Sequence, residues 1–401
     1  VLEDDMDVFR NMTMLSLEQA TVLPYLSYRL AMDGMRVIRL EHPVYGDPNR
    51  MIGENRLGEE RMNTYFLCIN AGKEAVTLNL GTPEGQAILK EMIVRMKVDI
   101  FATNQLPRNY EKLGIDYDSL KAVKPDLIWV GLTGFGPDSN EAAYDPILQA
   151  RSGLMELTGN AGEDPQVLGI PLPDMGTSEH AYGLVMKALC KRALTGQGER
   201  IDVSMFMSTT SWLTVAVTLT KSFGSKVTRR GNTHEFFAPV SVYETKDGYV
   251  YIAVGNDRQW ASFTQLPGFE RLARPEYEKN KGRIADVANL NRQINDCTRP
   301  RTTDEMIDLC NKATIAISRV NTIGEVLQDP LVAKSLLTAA DPVTKTQIWM
   351  APPPFMTTFL KESGQKMTFP PRFGEHNGAI YGKALGYSEE KLRELKSKEV
   401  I

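Results

Sequence analysis

One short segment of this chain puts an acid where an acid can react. In Leu172-Pro173-Asp174-Met175-Gly176 an aspartate follows a proline, just ahead of a long apolar-periodic stretch. The ordinary role of such an aspartate is a helix N-cap. The reactive role is a carboxylate at a helix N-terminus, where main-chain N–H groups stabilise developing negative charge, or one that attacks as a covalent nucleophile. The roles do not exclude one another. Asp145, after Tyr144 at a second helix start, has capping as its default. Arg39, Arg50, Lys73 and Lys112 are cations able to bind phosphate, although each alone reads as an ordinary surface charge. Phe236 and Phe237, in His234-Glu235-Phe236-Phe237-Ala238-Pro239, read either as a core pair or as an exposed aromatic lid. Gly131-Leu-Thr-Gly134-Phe-Gly136 lacks GxGxxG spacing and no Walker lysine follows it. It reads as a strand-to-loop turn, at a strand end of the kind where parallel sheets bind ligands.

The composition narrows what such residues can be doing. The chain has 401 residues, 42% hydrophobic and 24% charged, with formal net charge −4. These are ordinary globular values, which argue against disorder and against a disulfide scaffold. The charge balance gives no general attraction to nucleic acid or to an anionic membrane. Cys68, Cys190, Cys297 and Cys310 include no CxxC pair and read as four buried thiols of a reduced protein. With four histidines and no HExxH, a metal site is not expected. No apolar run approaches a membrane span. Residues Val1 to Asp7 are acidic and lack the regions of a signal peptide, so the expectation is a cytoplasmic protein.

The elements that must position these residues alternate. Met35 to Leu40, Val76 to Leu80, Val98 to Ala102 and Leu127 to Leu132 read as strands. Thr82-Pro83-Glu84 supplies a cap, a first-turn proline and an acid, and Ile88, Leu89, Met92, Ile93 and Met96 make one helix face. Strands alternating with helices imply βαβ units and a parallel sheet. Helices are expected over Pro146 to Leu157, Met175 to Leu194 (ending at Thr195-Gly-Gln-Gly198) and Phe206 to Leu219. A hairpin with its turn at Lys246-Asp247-Gly248 and a C-terminal helix over Ser388 to Lys396 complete the reading. The expected organisation is α/β: a large domain over 1–228, a smaller α+β domain over 229–328 and a C-terminal return to the large domain over 329–401.

In order and spacing these segments resemble the class III CoA-transferases, a family that includes formyl-CoA and carnitine CoA-transferases and the related acyl-CoA racemases. The resemblance is carried by Val37-Ile-Arg39-Leu-Glu41-His42-Pro43 with Gly46-Asp47, by Asn70-Ala-Gly-Lys73, and by Asn104 through Lys112 and Leu113-Gly114. It continues through Gly134-Phe-Gly136, Tyr144-Asp145, Gln149-Ala150, Asp174 with Gly176, Asp202-Val-Ser-Met205, Gly374-Glu-His376 and Leu385-Gly-Tyr387.

That resemblance implies a Rossmann-like large domain built from both chain termini, and an obligate dimer of interlocked rings with CoA between large and small domains. It implies Asp174 as the nucleophile, forming mixed anhydrides and an aspartyl-CoA thioester, with the CoA thioester a substrate and no resident cofactor. Asn104, Lys112, Lys73, Arg39, His42, Gln105 and Tyr144 are the positions it assigns to CoA. Thr21, His234, Glu235, Phe236 and Phe237 are those it assigns to the acyl group. Departures are visible. Gln105 stands where the family has a phenylalanine. Tyr144 replaces the racemases' catalytic histidine, which favours transferase over racemase. The glycine-rich lid of formyl-CoA transferase is replaced by His234 to Ala238, and Phe236 and Phe237 suggest an apolar or aromatic acid. Within the family the chain resembles the succinyl-CoA:benzylsuccinate type of anaerobic toluene degradation, in which two related subunits pair and one carries the aspartate. The partner is then a second copy or a homologous subunit, in a dimer or heterotetramer. A racemase, and a non-catalytic subunit of a heteromeric transferase, are the competing readings.

Overall fold

The structure, a computed structural model, describes residues 8–401. The acidic segment Val1 to Asp7, on which the signal-peptide expectation rested, lies outside the described residues. The chain divides into two compact units. The first comprises residues up to Leu154, Val167–Phe223 and Lys334–Ile401; the second comprises Met155–Gln166 and Gly224–Ala333.

The first unit is built on six strands, β1 (Thr13–Leu17), β2 (Arg36–Glu41), β3 (Lys73–Thr77), β4 (Ile100–Thr103), β5 (Ile128–Thr133) and β6 (Glu199–Ser204). They lie in the order β3-β2-β1-β4-β5-β6, every pairing parallel. This is the doubly wound order, whose direction of winding reverses between β1 and β4. Helices cover both faces, so the inner strands are apolar on both sides. Met14, Val37, Ile100 and Ile128 belong to one core, and Leu15, Ile38, Phe101 and Trp129 to the other. The two-residue alternation along each strand produces that division.

Helices α1 (Val22–Met32) and α4 (Leu172–Thr195) pack into the first core through Leu23, Leu26, Leu30, Ala181, Val185 and Ala188. Helix α2 (Pro83–Arg95) packs into the second, capped by Thr82, whose hydroxyl accepts the Gly85 N–H at 3.0 Å. The C-terminal segment closes the same face. Ile380, Tyr381, Leu395 and Val400 join that core, and the Tyr381 hydroxyl donates to the Thr77 carbonyl at 2.8 Å. Both ends of the described chain therefore build the large unit. Burying each such large side chain contributes about 1.5–3 kcal/mol. Further helices of this unit include α3 (Asp145–Ser152), α5 (Met205–Ser211) and α6 (Thr214–Phe223).

The second unit holds the antiparallel sheet β7 (Val240–Thr245), β8 (Gly248–Ala253) and β9 (Ala316–Arg319). Helices α7 (Val287–Thr298) and α8 (Thr303–Lys312) cover one face through Leu290, Ile294, Met306 and Cys310. The hairpin turn is Lys246–Asp247, and Asp247 accepts the Thr303 N–H at 2.7 Å, which ties the turn to the start of α8. The segment Met155–Gln166 joins this unit because Gly231 N–H bonds the Gly159 carbonyl at 2.8 Å and Arg229 pairs with Glu156.

Several elements differ from expectation for physical reasons. β1, the central strand, and β6 were not foreseen. β3 lies earlier than the expected Val76 to Leu80; Leu78 and Leu80 are buried, but beyond the ladder. The helix expected over Pro146 to Leu157 breaks at Gly153, where φ is +85°. The helix expected over Phe206 to Leu219 breaks at Trp212, whose ring turns back onto α4 at Gly176; a Cβ there would lie 2.0 Å from that ring. Two cysteines, Cys297 and Cys310, are buried, whereas Cys68 and Cys190 are exposed. Among the described residues no helix is long and apolar enough to cross a membrane.

Candidate active site

The site lies at the carboxyl ends of β1 and β4, where the winding reverses and where ligands bind in open parallel sheets. Asn104, just past β4, joins the two strand ends. Its Oδ1 accepts the Gln19 N–H at 3.1 Å and its Nδ2 donates to the Gln19 carbonyl at 2.8 Å.

Asp174 is the third residue of α4, not its cap. The cap position is Pro171, because Leu172 and Pro173 already have helical geometry and a proline is at home in a first turn. The cap role passes instead to Asp145, the first residue of α3. Its Oδ2 accepts the Asp174 main-chain N–H at 3.1 Å, and its Oδ1 accepts from Gln149 Nε2 at 2.6 Å. Gln149 Oε1 in turn accepts the Leu168 N–H at 2.9 Å, so one chain of bonds fixes α3, the loop before α4 and the backbone of Asp174. The Asp174 carboxylate itself makes no hydrogen bond or ion pair with any described residue.

The electrostatic consequence is direct. Burial, with Asp145 as like-charged neighbour, pushes the Asp174 carboxyl up to about 7. Burial also raises Asp145, opposed by its bonds from Gln149 and Asp174. A carboxylate with a raised pKa is a better nucleophile, and near pH 7 a substantial fraction is ionised.

Asp174 lines two cavities. One, of about 350 Å³, is lined by Gln19, Asn104, Gln105, Asn109, Gly134 and Met205 among others. The second, of about 510 Å³, is lined by Thr21, Asn49, Ile52, Tyr65, Gln149, Val167 and Ile170 among others. Ala20, Tyr144, Asp145 and Asp174 face both. A third cavity, of about 300 Å³, lies over the ends of β1, β2 and β3 and shares Gln19, Gln105 and Asn109 with the first. His42, Tyr45 and Lys112 line it. The His42 and Tyr45 rings lie 4.6 Å apart, tilted by 33°, and Lys112 is exposed with no ion pair among the described residues.

The residues singled out from sequence thus separate. Asp174, Asn104, Gln105, Lys112, His42, Tyr144 and Thr21 line these cavities. Thr21 shares a hydrogen bond of 3.0 Å with the Tyr65 hydroxyl. Arg39 and Lys73 do not reach a cavity, and the expectation that they bind phosphate is corrected. Both are buried in an ion cluster. Lys73 Nζ donates to Glu18 at 2.9 Å, Asn70 at 2.8 Å and the Pro24 carbonyl at 2.8 Å. Arg39 donates to Asp47 at 2.7 Å and Asn70 at 2.6 Å. Arg50 is buried likewise, paired with Glu41 at 2.6 Å. His234, Glu235, Phe236 and Phe237 belong to the second unit. Glu235 pairs with Arg230 at 2.8 Å, and the His234 ring lies against Phe236 and Phe237 at 6.0 and 5.0 Å. Those phenylalanines are 44% and 42% exposed, so they are not a core pair. Sequence reasoning missed Gln19, Ala20, Asn49 and Tyr65. The only available signal was position: Gln19 and Ala20 follow β1, itself unforeseen. Among the described residues no cluster of three or more His, Cys, Asp or Glu is placed to hold a metal ion.

Comparison with known proteins gives a consistent picture. The description "CoA-transferase family III" matches residues 9–377. The chain is similar to the succinyl-CoA:glutarate CoA-transferase of Homo sapiens, 28% identical over 96% of this chain and 88% of that protein. It is also similar to the succinate–glutarate CoA-transferase of Agrobacterium fabrum, 30% identical over 91% of this chain and 93% of that protein. Among solved structures, a CAIB/BAIF family protein from Brucella suis superposes with a TM-score of 0.80 at 28% identity, covering 93% of this chain and 98% of that one.

Proposed function

This chain belongs to CoA-transferase family III and is a CoA-transferase, and on that premise we propose that Asp174 is its nucleophile. The observation that carries the reading is a carboxylate raised to about 7 and left without a partner where two cavities meet.

The steps follow from that placement. The Asp174 carboxylate attacks the thioester carbonyl carbon of the donor acyl-CoA. The C–S bond breaks, giving a mixed anhydride and CoA thiolate. The thiolate attacks the Asp174 carbonyl carbon, the donor acid leaves as carboxylate, and an aspartyl-CoA thioester stands in its place. The acceptor carboxylate attacks that thioester and releases the thiolate with formation of a second anhydride. Attack by the thiolate on the acceptor's acyl carbon forms the new acyl-CoA and frees Asp174. No proton is gained or lost over the cycle, and thioester energy is conserved. Asp145 keeps the Asp174 backbone in place throughout.

CoA occupies the two cavities that share Gln19, Gln105 and Asn109, with Lys112 toward a phosphate and the His42–Tyr45 ring pair toward the base. The acyl group occupies the cavity of Thr21, Ile52, Tyr65, Val167 and Ile170, whose apolar and aromatic walls suit an aromatic acid such as benzylsuccinate. Succinyl-CoA is the proposed donor, in keeping with the name of the human relative. The proposed assembly is an interlocked dimer with a second copy or a homologous subunit. Helix α6 supports it: no residue of that helix is buried, and Val215, Val217 and Phe223 are exposed. The proposed compartment is the cytoplasm, whose reducing conditions suit four unpaired cysteines.

The reading is tested by incubating the protein with succinyl-CoA and a panel of free acids and following new acyl-CoA esters by mass. Transfer lost in Asp174→Ala supports it. Transfer that survives in Asp174→Ala removes it.

A further inference from the structure

The turn that joins β1 to α1 is held by side chains that the reaction itself does not use. Ala20 has φ +60°, a left-handed conformation that a residue with a Cβ rarely adopts. Its N–H donates to Asp47 Oδ1 at 3.0 Å and its carbonyl accepts from Asn49 Nδ2 at 2.6 Å. The preceding residue, Gln19, has both main-chain groups taken by Asn104. Four main-chain polar groups of two consecutive residues are thus bound by three side chains from two other parts of the fold.

The clamp is itself rigid. Asp47 Oδ1 also accepts the Asn49 N–H at 2.9 Å, so the two clamping residues form one turn. Asp47 Oδ2 accepts from Arg39 at 2.7 Å, and the Asp47 N–H donates to Glu41 at 3.1 Å. Asp47 and Asn49 are 2% and 3% exposed. Seven non-glycine residues have positive φ among the described residues, and only Ala20 faces the cavities at Asp174. Strain maintained by surrounding structure and placed at a reacting group is a mark of positioning.

We propose that Asn49, acting with Asp47, is a positioning residue for the acyl group. It locks the Ala20 peptide in its left-handed turn, and that turn is the wall that holds the thioester carbonyl against Asp174. The proposal rests on the reading of the larger cavity as the acyl subsite. Nucleophilic attack needs reacting atoms about 3–3.5 Å apart, and a displacement of about 1 Å costs on the order of a hundredfold in rate. Without Asn49, the Ala20 carbonyl loses its buried donor and the alanine relaxes toward negative φ. The wall then moves, while Gln19, held by Asn104, stays in place in the cavities assigned to CoA.

The test compares binding of CoA with binding of its S-butyl thioether, which carries an apolar tail but has no thioester to break. Wild type is expected to bind the thioether at least about fivefold more tightly than CoA, the gain from burying the tail. In Asn49→Ala that advantage should fall below about twofold, with CoA affinity itself changed less than about twofold, because the tail loses its wall whereas CoA keeps Gln19, Gln105, Asn109 and Lys112. Turnover of succinyl-CoA should fall at least about tenfold in kcat/KM. Adding Ala20→Gly to Asn49→Ala should restore part of both, since glycine takes the left-handed turn freely. Asn49→Ser is the milder lesion should Asn49→Ala not fold. A purely structural role would lower the melting temperature and leave the ratio of affinities unchanged, and that result overturns the proposal. So does a wild type that binds the two ligands equally. The binding ratio needs no turnover. Failure of the Asp174 reading would show instead as unmodified Asp174 in wild type, so the two failures are distinct.

Discussion

Two groups of carboxylates lie at the carboxyl end of the same sheet, and burial treats them oppositely. Glu18, Glu41 and Asp47 are buried among Arg39, Arg50 and Lys73. Burial alone would raise Glu18 and Glu41, but the cations beside them overcome it and hold both below the usual carboxylate range. Asp174 and Asp145 have no cation beside them, and both are raised. The difference is compensation rather than depth. A buried acid with cations is a strut; a partly buried acid left without one is primed to react. The strut region also serves the reactive one, since Asp47 carries the clamp on Ala20.

The comparison can be broken at several points, and the largest effect should come from the reactive group. Asp174→Asn should lower kcat by about 10³-fold or more, since the nucleophile is gone. The same variant should gain stability relative to wild type as pH rises. The folded-state pKa of about 7 lies above the ordinary 3.8, so the native state holds the proton more tightly than the unfolded chain. The stability this gives wild type is full below about pH 4 and lost as pH climbs to about 7, a window of about 2–4 kcal/mol. Melting curves of wild type and Asp174→Asn at pH 5 and pH 8 check this: the variant's advantage should be larger at pH 8.

In the strut region the prediction inverts. Lys73→Met removes the nearer of the two cations beside Glu18, leaving Arg39 at 3.8 Å, and should cost about 3 kcal/mol by denaturant unfolding. With Glu18 and Glu41 held low, the cluster's stabilisation is present above the ordinary carboxylate range and is lost as pH falls through their lowered values. Smaller and sharper is Asp145→Asn. It keeps an acceptor for the Asp174 N–H but removes the like charge, so the rise of kcat/KM with pH should shift to lower pH by about half a unit to one unit. An unchanged pH profile would mean that burial alone sets Asp174. Smallest is Lys112→Ala, which should raise KM for the CoA ester about threefold at low salt and less at high salt, because its charge is exposed.

What sequence made legible was local chemistry. Thr82 and Pro83 start α2 because cap and first-turn preferences act within a few residues. The Lys246–Asp247 hairpin was readable for the same reason. The aspartate after Pro173 stood out by type and position, and the order of motifs carried the family. What was hidden depends on distant partners. β1 is five residues long and owes its place to pairing with β2 and β4. Lys73 reads as a surface charge until the fold brings Glu18 to it, 55 residues away in sequence. The break at Trp212 depends on Gly176, and Asp145 caps the helix of Asp174 across 29 residues. The positive φ of Ala20 has no mark in its residue type.

The central claim is that Asp174 forms a covalent thioester with CoA, and peptide mass spectrometry tests it most directly. The protein is incubated with succinyl-CoA, treated with hydroxylamine or borohydride, digested, and the peptide containing Asp174 is weighed. The account predicts a hydroxamate or a reduced side chain on Asp174 itself, absent from Asp174→Ala. Active transfer with Asp174 left unmodified, or the adduct found on another carboxylate, would contradict it.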